Sequence, residues 1–580
     1  MMKKKISIVL ILMMVMGCFA GCGRKSEKPM TDSEVNGNTT YVKDSGESRT
    51  SVTAEGKAVD ENMYSANQSI LLKDYAATGA ENDGCYDYYG VNETPQEPGM
   101  IAPEVDFNTE EYNAMEENGY KSVENYPVST FSVDVDTASY SNLRRMIQQD
   151  RYIDTGAVRI EEMINYFSYD YAKPTGDHPF AVTTELADCP WNKDTKLMLV
   201  GIQTEQLEFA QSPASNLVFL IDVSGSMFDD NKLPLVQKSF TMLTENLTAK
   251  DKVSIVVYAG EEAVILEGAN GTEKERIIKA INQLAAGGAT AGSKGIETAY
   301  AIAEKNYIKD GNNRVILATD GDLNVGLTSE SELEELVTRK KETGVFLSVL
   351  GFGTGNYKDN KMEILADKGN GNYSYIDSLI EANKVLVEEM GSTLYTVAKD
   401  AKIQVEFNPN TVKGYRLIGY ENRLLATEDF EDDTKDAGEV GAGHSVTAIY
   451  EVALSNSELE IPSTNLKYQE DTISMNQDEL LTISIRYKKP DKDTSILMTK
   501  VVHADEYLAN MPKNLKFAAA VAQFGMLLRN SNYKGTTTFD GIIAMLADED
   551  FSQDPYRKQF VELVLEAKYI MMNQEQVYYD

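Results

Sequence analysis

The sequence predicts a doubly wound, mainly parallel α/β sheet flanked by a β-rich, sandwich-like region and by C-terminal helices. Residues 215–391 alternate near-continuous apolar runs with helical stretches, which is typical of strands buried on both faces of a parallel sheet. After residue 391, apolar and polar residues alternate between polar turns, which favours an antiparallel sheet or sandwich. From about residue 511 the chain carries apolar residues at helical spacing.

Four apolar runs mark the parallel strands of the central sheet. They are NLVFLID (216–222), DKVSIVVYAG (251–260), RVILATDG (314–321) and GVFLSVLGFG (344–353). The segment EEAVILEGAN follows the second run after a tight turn and predicts an antiparallel edge strand. Helix starts are indicated by Pro234 and by three capping-box spacings: Thr272/Glu275, Ser331/Glu334 and Ser378/Glu381.

The region before this sheet predicts a strand from Thr130 to Val135 and a helix from about Ala138, capped by Asp136 or Thr137. A second amphipathic helix and two alternating strands follow. Such a region makes a poor core alone, and the ends of an inserted domain often lie close together. We therefore hypothesise that residues 110–212 and 392–510 form one β-rich platform, with the central domain inserted between two of its strands.

The terminal helices are expected to cover one side of this platform. Two apolar faces support this expectation: Phe517, Val521, Phe524 and Leu528 on one helix, and Phe560, Val564, Ala567 and Met571 on another.

Composition excludes several function classes. The 580-residue chain has 91 acidic and 55 basic residues and a formal net charge of −36, which disfavours binding to nucleic acid or to an anionic membrane surface. Its 3 histidines, His178, His444 and His503, are far apart, and no Cys/His cluster has zinc spacing. Zinc chemistry is therefore not expected.

The N-terminus predicts a targeting segment followed by a tether. Three lysines precede an apolar core that is too short to span a bilayer. Residues 19–22 then resemble a bacterial lipobox, which implies lipidation of Cys22; Cys18 is a second candidate, and a plain secretory peptide is the alternative. Residues 23–108 are polar and aperiodic, so we expect a disordered tether with a reach on the order of 50 Å. Cys85 and Cys189 would remain after processing; they could pair, although two free thiols are favoured because Cys85 lies in the tether.

The first strand of the central sheet ends in chemistry suited to a metal ion. Asp222 closes the apolar run and is followed by the hydroxyls of Ser224 and Ser226. In an open parallel sheet, ligands bind at the carboxyl ends of the strands. Carboxylate, hydroxyl and water are the oxygen ligands that Mg²⁺ prefers.

The D-x-S-x-S pattern of Asp222, Ser224 and Ser226 resembles the metal-ion-dependent adhesion site of von Willebrand factor type A (VWA) domains. This resemblance places Thr290, in the Gly-rich loop 287–296, at the third hydroxyl position and Asp320 at the second carboxylate position. It implies bound Mg²⁺, with Mn²⁺ or Ca²⁺ as alternatives. A VWA fold with an unused site is the competing interpretation.

The flanking segments are similar to those of bacterial VWA lipoproteins over roughly residues 110–580. TFSVDVDTASYSNLRRMI, VRIEEMINYF, YRLIGYENR and DDTKDAGEVGAGHSVTAIYEV carry this resemblance. The predicted regions are a lipoprotein signal peptide (1–22), a disordered tether (23–108), an N-terminal VWA-associated region (109–214), a VWA domain (215–391), a β-rich region (392–510) and a helical region (511–580).

The resemblance implies a membrane-anchored, extracytoplasmic binding module whose metal engages a Glu or Asp of a protein partner. An envelope scaffold with a silent metal site is the structural alternative. Metal-assisted hydrolysis is the enzymatic one, and we do not expect it, because no GxxxxGK[ST], HExxH or GxSxG motif occurs and Ser224 has no histidine near it in sequence.

Overall fold

The computed structural model describes residues 110–579, except for 134–135, 207–212, 260–261, 288–292, 322–329, 356, 390–394, 436 and 465–477. All of these residues belong to one compact unit, Ile101–Asp580. The predicted signal peptide and tether, with Cys22 and Cys85, lie outside the described residues. Within them, no helix is both long and apolar enough to cross a bilayer.

The described elements are numbered in chain order. The strands are β1 (Lys121–Ser122), β2 (Val128–Ser132), β3 (Phe180–Asp188), β4 (Lys196–Thr204), β5 (Ser215–Asp222), β6 (Lys252–Tyr258), β7 (Glu262–Asn270), β8 (Asn312–Thr319), β9 (Phe346–Phe352), β10 (Tyr373–Ile376), β11 (Thr396–Phe407), β12 (Val412–Ile418), β13 (Val440–Gly441), β14 (Ser445–Leu454), β15 (Glu479–Lys488) and β16 (Ser495–His503). The helices are α1 (Ala138–Gln148), α2 (Ile160–Asn165), α3 (Leu233–Glu245), α4 (Lys274–Asn282), α5 (Ser293–Lys305), α6 (Glu330–Lys341), α7 (Asp359–Lys368), α8 (Leu379–Asn383), α9 (Lys513–Leu528), α10 (Phe539–Leu546) and α11 (Pro555–Tyr579).

The central sheet has the strand order β10-β9-β8-β5-β6-β7. Its strands pair in parallel, except that β7 is antiparallel to β6 at the edge. The predicted doubly wound sheet and its antiparallel edge strand are therefore confirmed.

Side chains of β5 alternate between two buried layers, as a strand with helices on both faces requires. Phe219 packs on one face, where its ring stacks on Phe240 of α3 with centroids 4.3 Å apart. Val218 and Leu220 enter the opposite layer with residues of α5, α6 and α7. This explains why the run is apolar at every position instead of alternating.

The two flanks form one platform, as hypothesised. One sheet has the order β1-β12-β14-β4-β3, and the other has β13-β11-β15-β16 with β2 paired to β11. Strands from before the central sheet thus pair with strands from after it: β4 with β14 over eight residue pairs, from Ser445↔Gln203 to Val452↔Lys196, and β2 with β11. The central domain is inserted between β4 and β11.

The terminal helices cover one face of this platform, as expected. Leu197 and Leu199 of β4 face a core built with α1, α2, α9, α10 and α11. Met198 and Val200, which alternate with them, face the second sheet. The predicted helix faces are buried in the helical core, except that Met571 is only partly buried.

The predicted cap of α1 is confirmed in its position but not in its hydrogen bond. Thr137 occupies the N-cap position without a side-chain cap hydrogen bond. The Asp136 carboxylate instead accepts hydrogen bonds from the backbone N–H of Tyr373 (2.8 Å) and from Arg423 (3.1 Å). An arginine and a strand amide from distant parts of the chain bind this carboxylate in place of the local helix end.

Of the other local predictions, some are confirmed and some are wrong. Ser378 caps α8 by accepting the N–H of Glu381 at 3.2 Å, as predicted. Thr272 does not cap α4, whose N-cap is Glu273, and Ser331 lies inside α6. The predicted strand at 130–135 is β2, which begins and ends earlier.

Cys189 is buried and forms no disulfide within the described part of the chain, and burial raises the pKa of its thiol to about 12.

Candidate metal centre

Asp222 is the last residue of β5, and its side chain is fully buried. One carboxylate oxygen accepts the backbone N–H of Ser224 at 2.9 Å. The other accepts the hydroxyl of Thr319, at the end of the neighbouring β8, at 3.3 Å. These two bonds fix the carboxylate at the carboxyl edge of the sheet.

Ser224 stands at the N-cap of a short 3₁₀ turn, Gly225–Phe228, and Ser226 lies within this turn. Their hydroxyl oxygens lie 2.9 Å apart, with Ser224 buried and Ser226 exposed. Met227 anchors this turn because its side chain is completely buried in the core beside α3. Two hydroxyl oxygens are thereby held together next to Asp222.

Asp320 directly follows β8, so it lies at the same edge of the sheet, and it is 3 % exposed. Gly321 follows it with φ of +93°, and a Cβ there would lie 2.7 Å from the backbone nitrogen of Lys358. The second predicted carboxylate is thus buried beside the first.

Lys232, which sequence reasoning missed, also reaches this edge. Its Nζ lies 3.0 Å from a carboxylate oxygen of Asp320 and donates to the carbonyl oxygen of Ser226 at 2.9 Å. The lysine stem packs against Gly353, where a Cβ would lie 2.5 Å from its Cε. The residue stands at the N-cap of α3 without a side-chain cap bond, and no feature of its surrounding sequence indicates this contact.

Burial raises the pKa of the Asp222 carboxyl to about 6. Hydrogen bonds from Ser224 oppose this rise, and the negative charge of Asp320 adds to it. Desolvation and a second carboxylate both disfavour the ionised form. A cation placed between the two groups would relieve both effects.

The structure thus brings together Asp222, Ser224, Ser226 and Asp320. Thr290, the fifth predicted ligand, lies outside the described residues. The part of the chain that the structure describes holds no group of three His, Cys, Asp or Glu residues suited to a metal ion. The donors that do converge are two carboxylates and two hydroxyls, a hard oxygen set that fits Mg²⁺.

The histidines lie elsewhere. His178 contacts the hydroxyl of Tyr487 at 3.0 Å, and His503 lies 3.6 Å from Asp478. His444 is partly buried, and this burial lowers its pKa. None of the three forms a hydrogen bond with Ser224 among the described residues. Among the described residues, no histidine is therefore hydrogen-bonded to Ser224 as a general base would be.

Comparison with protein families agrees with this architecture. The model "von Willebrand factor type A domain" matches residues 216–389, "von Willebrand factor" matches 106–199, and "Uncharacterized protein YfbK, C-terminal" matches 392–570. The fold and its carboxyl edge therefore define a VWA-domain protein. VWA domains generally mediate protein–protein interactions and commonly bind a metal ion at this edge.

One relative covers most of the chain. "Uncharacterized protein YfbK" of Escherichia coli (strain K12) is 42% identical over 472 residues, which are 79% of this chain and 80% of that protein. The chain belongs to the YfbK family of VWA-domain proteins. A more distant relative, mouse inter-alpha-trypsin inhibitor heavy chain H3, is 28% identical over 34% of this chain and 23% of its own length.

Two solved structures resemble parts of the chain. "von Willebrand factor type A from Catenulispora acidiphila" covers 69% of this chain and 91% of its own, with 13% identity and a TM-score of 0.38. The mussel byssus proximal thread matrix protein 1 "with zinc occupied MIDAS motif" covers 30% of this chain and 45% of its own, with 19% identity and a TM-score of 0.25.

Proposed function

We propose that the protein is a membrane-tethered, extracytoplasmic binding module that uses Mg²⁺ to engage an acidic residue of a protein partner. Asp222, Ser224, Ser226, Thr290 and Asp320 would hold the ion. The bound ion would supply an open coordination position for a partner's Glu or Asp. Lipidation of Cys22 and the tether at 23–108 would keep the module at the membrane.

The burial of Asp222 beside Asp320 carries this proposal. Lys232 already neutralises Asp320. The buried carboxylate of Asp222, in contrast, is bound by the uncharged donors of Ser224 and Thr319, and desolvation penalises its charge. A structural role alone does not require hydroxyls 2.9 Å apart at a strand end. Metal coordination accounts for both features.

An exposed aromatic side chain supports a protein as the partner. Phe228 is 79% exposed and lies two residues after Ser226, in the same 3₁₀ turn. A solvent-exposed phenylalanine beside a charged site suits an interface, where aromatic residues often anchor binding. The metal would bind the partner's carboxylate, and Phe228 would contact apolar groups next to it.

Buried ion pairs fix the central domain on the platform. Arg144 of α1 binds Asp377 at 2.7 Å and Glu381 at 2.8 Å, and all three side chains are at most 8 % exposed. Arg159 pairs with Asp359 at the start of α7. The platform would therefore hold the metal edge in one orientation for a partner.

A second candidate function is an envelope scaffold with a silent metal site. The contact between Lys232 and Asp320 favours it, since an ammonium group already neutralises one predicted ligand. In that case partners would bind other surfaces, and divalent ions would have no effect.

Cross-linking of the full-length, membrane-tethered protein in cells separates these candidates. We expect a partner that is captured in Mg²⁺, lost after chelation, and lost in Asp222→Ala. Phe228→Ser should weaken this capture while Mg²⁺ binding, measured by calorimetry, stays unchanged. Identical partners with and without Mg²⁺, in wild type and Asp222→Ala alike, would establish the scaffold instead.

A further inference from the structure

A polar cavity of about 200 Å³ lies between the central domain and the platform. Arg314, the third residue of β8, lines it, whereas Asp320 follows the last residue of the same strand. The cavity is therefore at the opposite edge of the sheet from the candidate metal centre. Platform residues Ser132, Arg423 and Glu439 line its other side.

Arg314 is 2% exposed, and its guanidinium is incompletely bound. Nη1 donates to the hydroxyl of Ser348 at 2.6 Å, and the group lies 5.7 Å from the ring centroid of Phe346. Nε is buried and has no hydrogen-bond partner within the described structure. A buried donor without an acceptor costs free energy, and a ligand that supplies an acceptor would recover this cost.

Arg314 also differs from the other buried arginines in its charge environment. Arg144, Arg159 and Arg416 each form an ion pair with a carboxylate, whereas Arg314 forms none with any described residue. Burial lowers its pKa to about 10, and the Glu439 carboxylate offsets only part of this effect. The cavity wall thus carries a buried positive charge that no direct contact neutralises.

The remaining charged groups restrict what can enter. Arg423 pairs with Asp367 at 2.7 Å and also with Asp136 and Glu363, each at 3.1 Å, so three carboxylates share its charge. Lys368, an exposed residue, also lines the cavity. Glu439 accepts a hydrogen bond from the Asn370 side chain at 2.8 Å, and it lines the cavity. A ligand facing both Arg314 and Glu439 therefore meets a donor on one side and an acceptor on the other.

We propose that this cavity binds a small oxyanion that also carries a hydrogen-bond donor, such as hydrogen phosphate or the zwitterion of an amino acid. The oxyanion accepts hydrogen bonds from Arg314, and the donor group binds the carboxylate of Glu439. Because the cavity is lined by both the central domain and the platform, the ligand stabilises their contact. This site is independent of the metal edge.

Thermal unfolding of the processed full-length protein tests this proposal with inorganic phosphate and with glycine, each matched to sodium chloride at equal ionic strength. A saturable rise of a few degrees at about a hundredfold excess over the Kd is expected for at least one probe and not for chloride. A response to phosphate identifies a phosphate-type ligand, and a response to glycine an amino-acid-type ligand. The absence of a saturable rise with either probe would overturn the proposal.

Two variants locate the site. Arg314→Met should abolish the response and should still fold, because methionine is an unbranched apolar chain and removes a buried charge that desolvation penalises. Asp222→Ala, at the other edge of the sheet, should retain the full response. An equal rise in Arg314→Met and wild type would place the anion elsewhere and refute the assignment.

Discussion

Lys232→Met should destabilise the metal-free protein and tighten its binding of Mg²⁺. The Lys232 ammonium lies 3.0 Å from the Asp320 carboxylate, and both side chains are at least nine-tenths buried. Removing one partner of a buried ion pair costs about 3 kcal/mol or more. The variant should therefore lose roughly this much free energy of unfolding in the presence of a chelator.

The same substitution removes the cation that competes with a metal for Asp320. If Mg²⁺ recovers the whole of the lost 3 kcal/mol, its Kd falls by about a hundredfold, since each 1.4 kcal/mol is a factor of ten. Denaturant unfolding in EDTA and calorimetric titration with MgCl₂ measure the two quantities separately.

Two controls make this test specific. Lys238→Met removes an exposed lysine of the same helix and should change neither quantity. Asp222→Asn should abolish the response to Mg²⁺. Unchanged metal-free stability together with unchanged or weaker Mg²⁺ affinity in Lys232→Met would refute this account of the lysine.

Two further predictions concern pH and the anchor. The folded-state pKa of Asp222, about 6, exceeds its ordinary value of 3.8, so its stabilising contribution is present below pH 3.8 and is lost as the pH rises through 6. In EDTA, the free energy of unfolding measured with urea should therefore fall by up to roughly 3 kcal/mol as the pH rises through this window, and this fall should be absent in Asp222→Asn. Mg²⁺ affinity should increase over the same window. A pH-independent difference between wild type and variant would contradict this prediction. Mass spectrometry of the mature N-terminus should find an acylated Cys22, and an unlipidated start at another residue would rule out the anchor.

The central sheet could be predicted from sequence because its signal is local. Strands buried on both faces must be apolar at every position, and β5, β6, β8 and β9 all show this pattern. The resemblance at Asp222, Ser224 and Ser226 is likewise local. Asp320 could be placed at the same edge because it directly follows an apolar run that predicts a strand. These residues lie together because parallel strands end at one edge.

Contacts between distant segments could not be predicted in this way. Asp136 has the sequence environment of a helix cap, yet it binds Tyr373 and Arg423, which lie more than two hundred residues away. Lys232 resembles any solvated lysine near a helix start. Their partners are set by the packing of the folded chain, and no spacing within either segment encodes them.

The insertion of the central domain between β4 and β11 has a mechanical consequence. A domain joined by one linker can swivel, and tension applied to it first straightens that linker. Here the chain enters and leaves the domain from strands of the same platform, so two covalent connections share any load. Together with the ion pairs of Arg144, these two connections resist rotation of the central domain on the platform. A force on the metal edge is therefore transmitted directly to the hydrogen-bonded sheets of the platform.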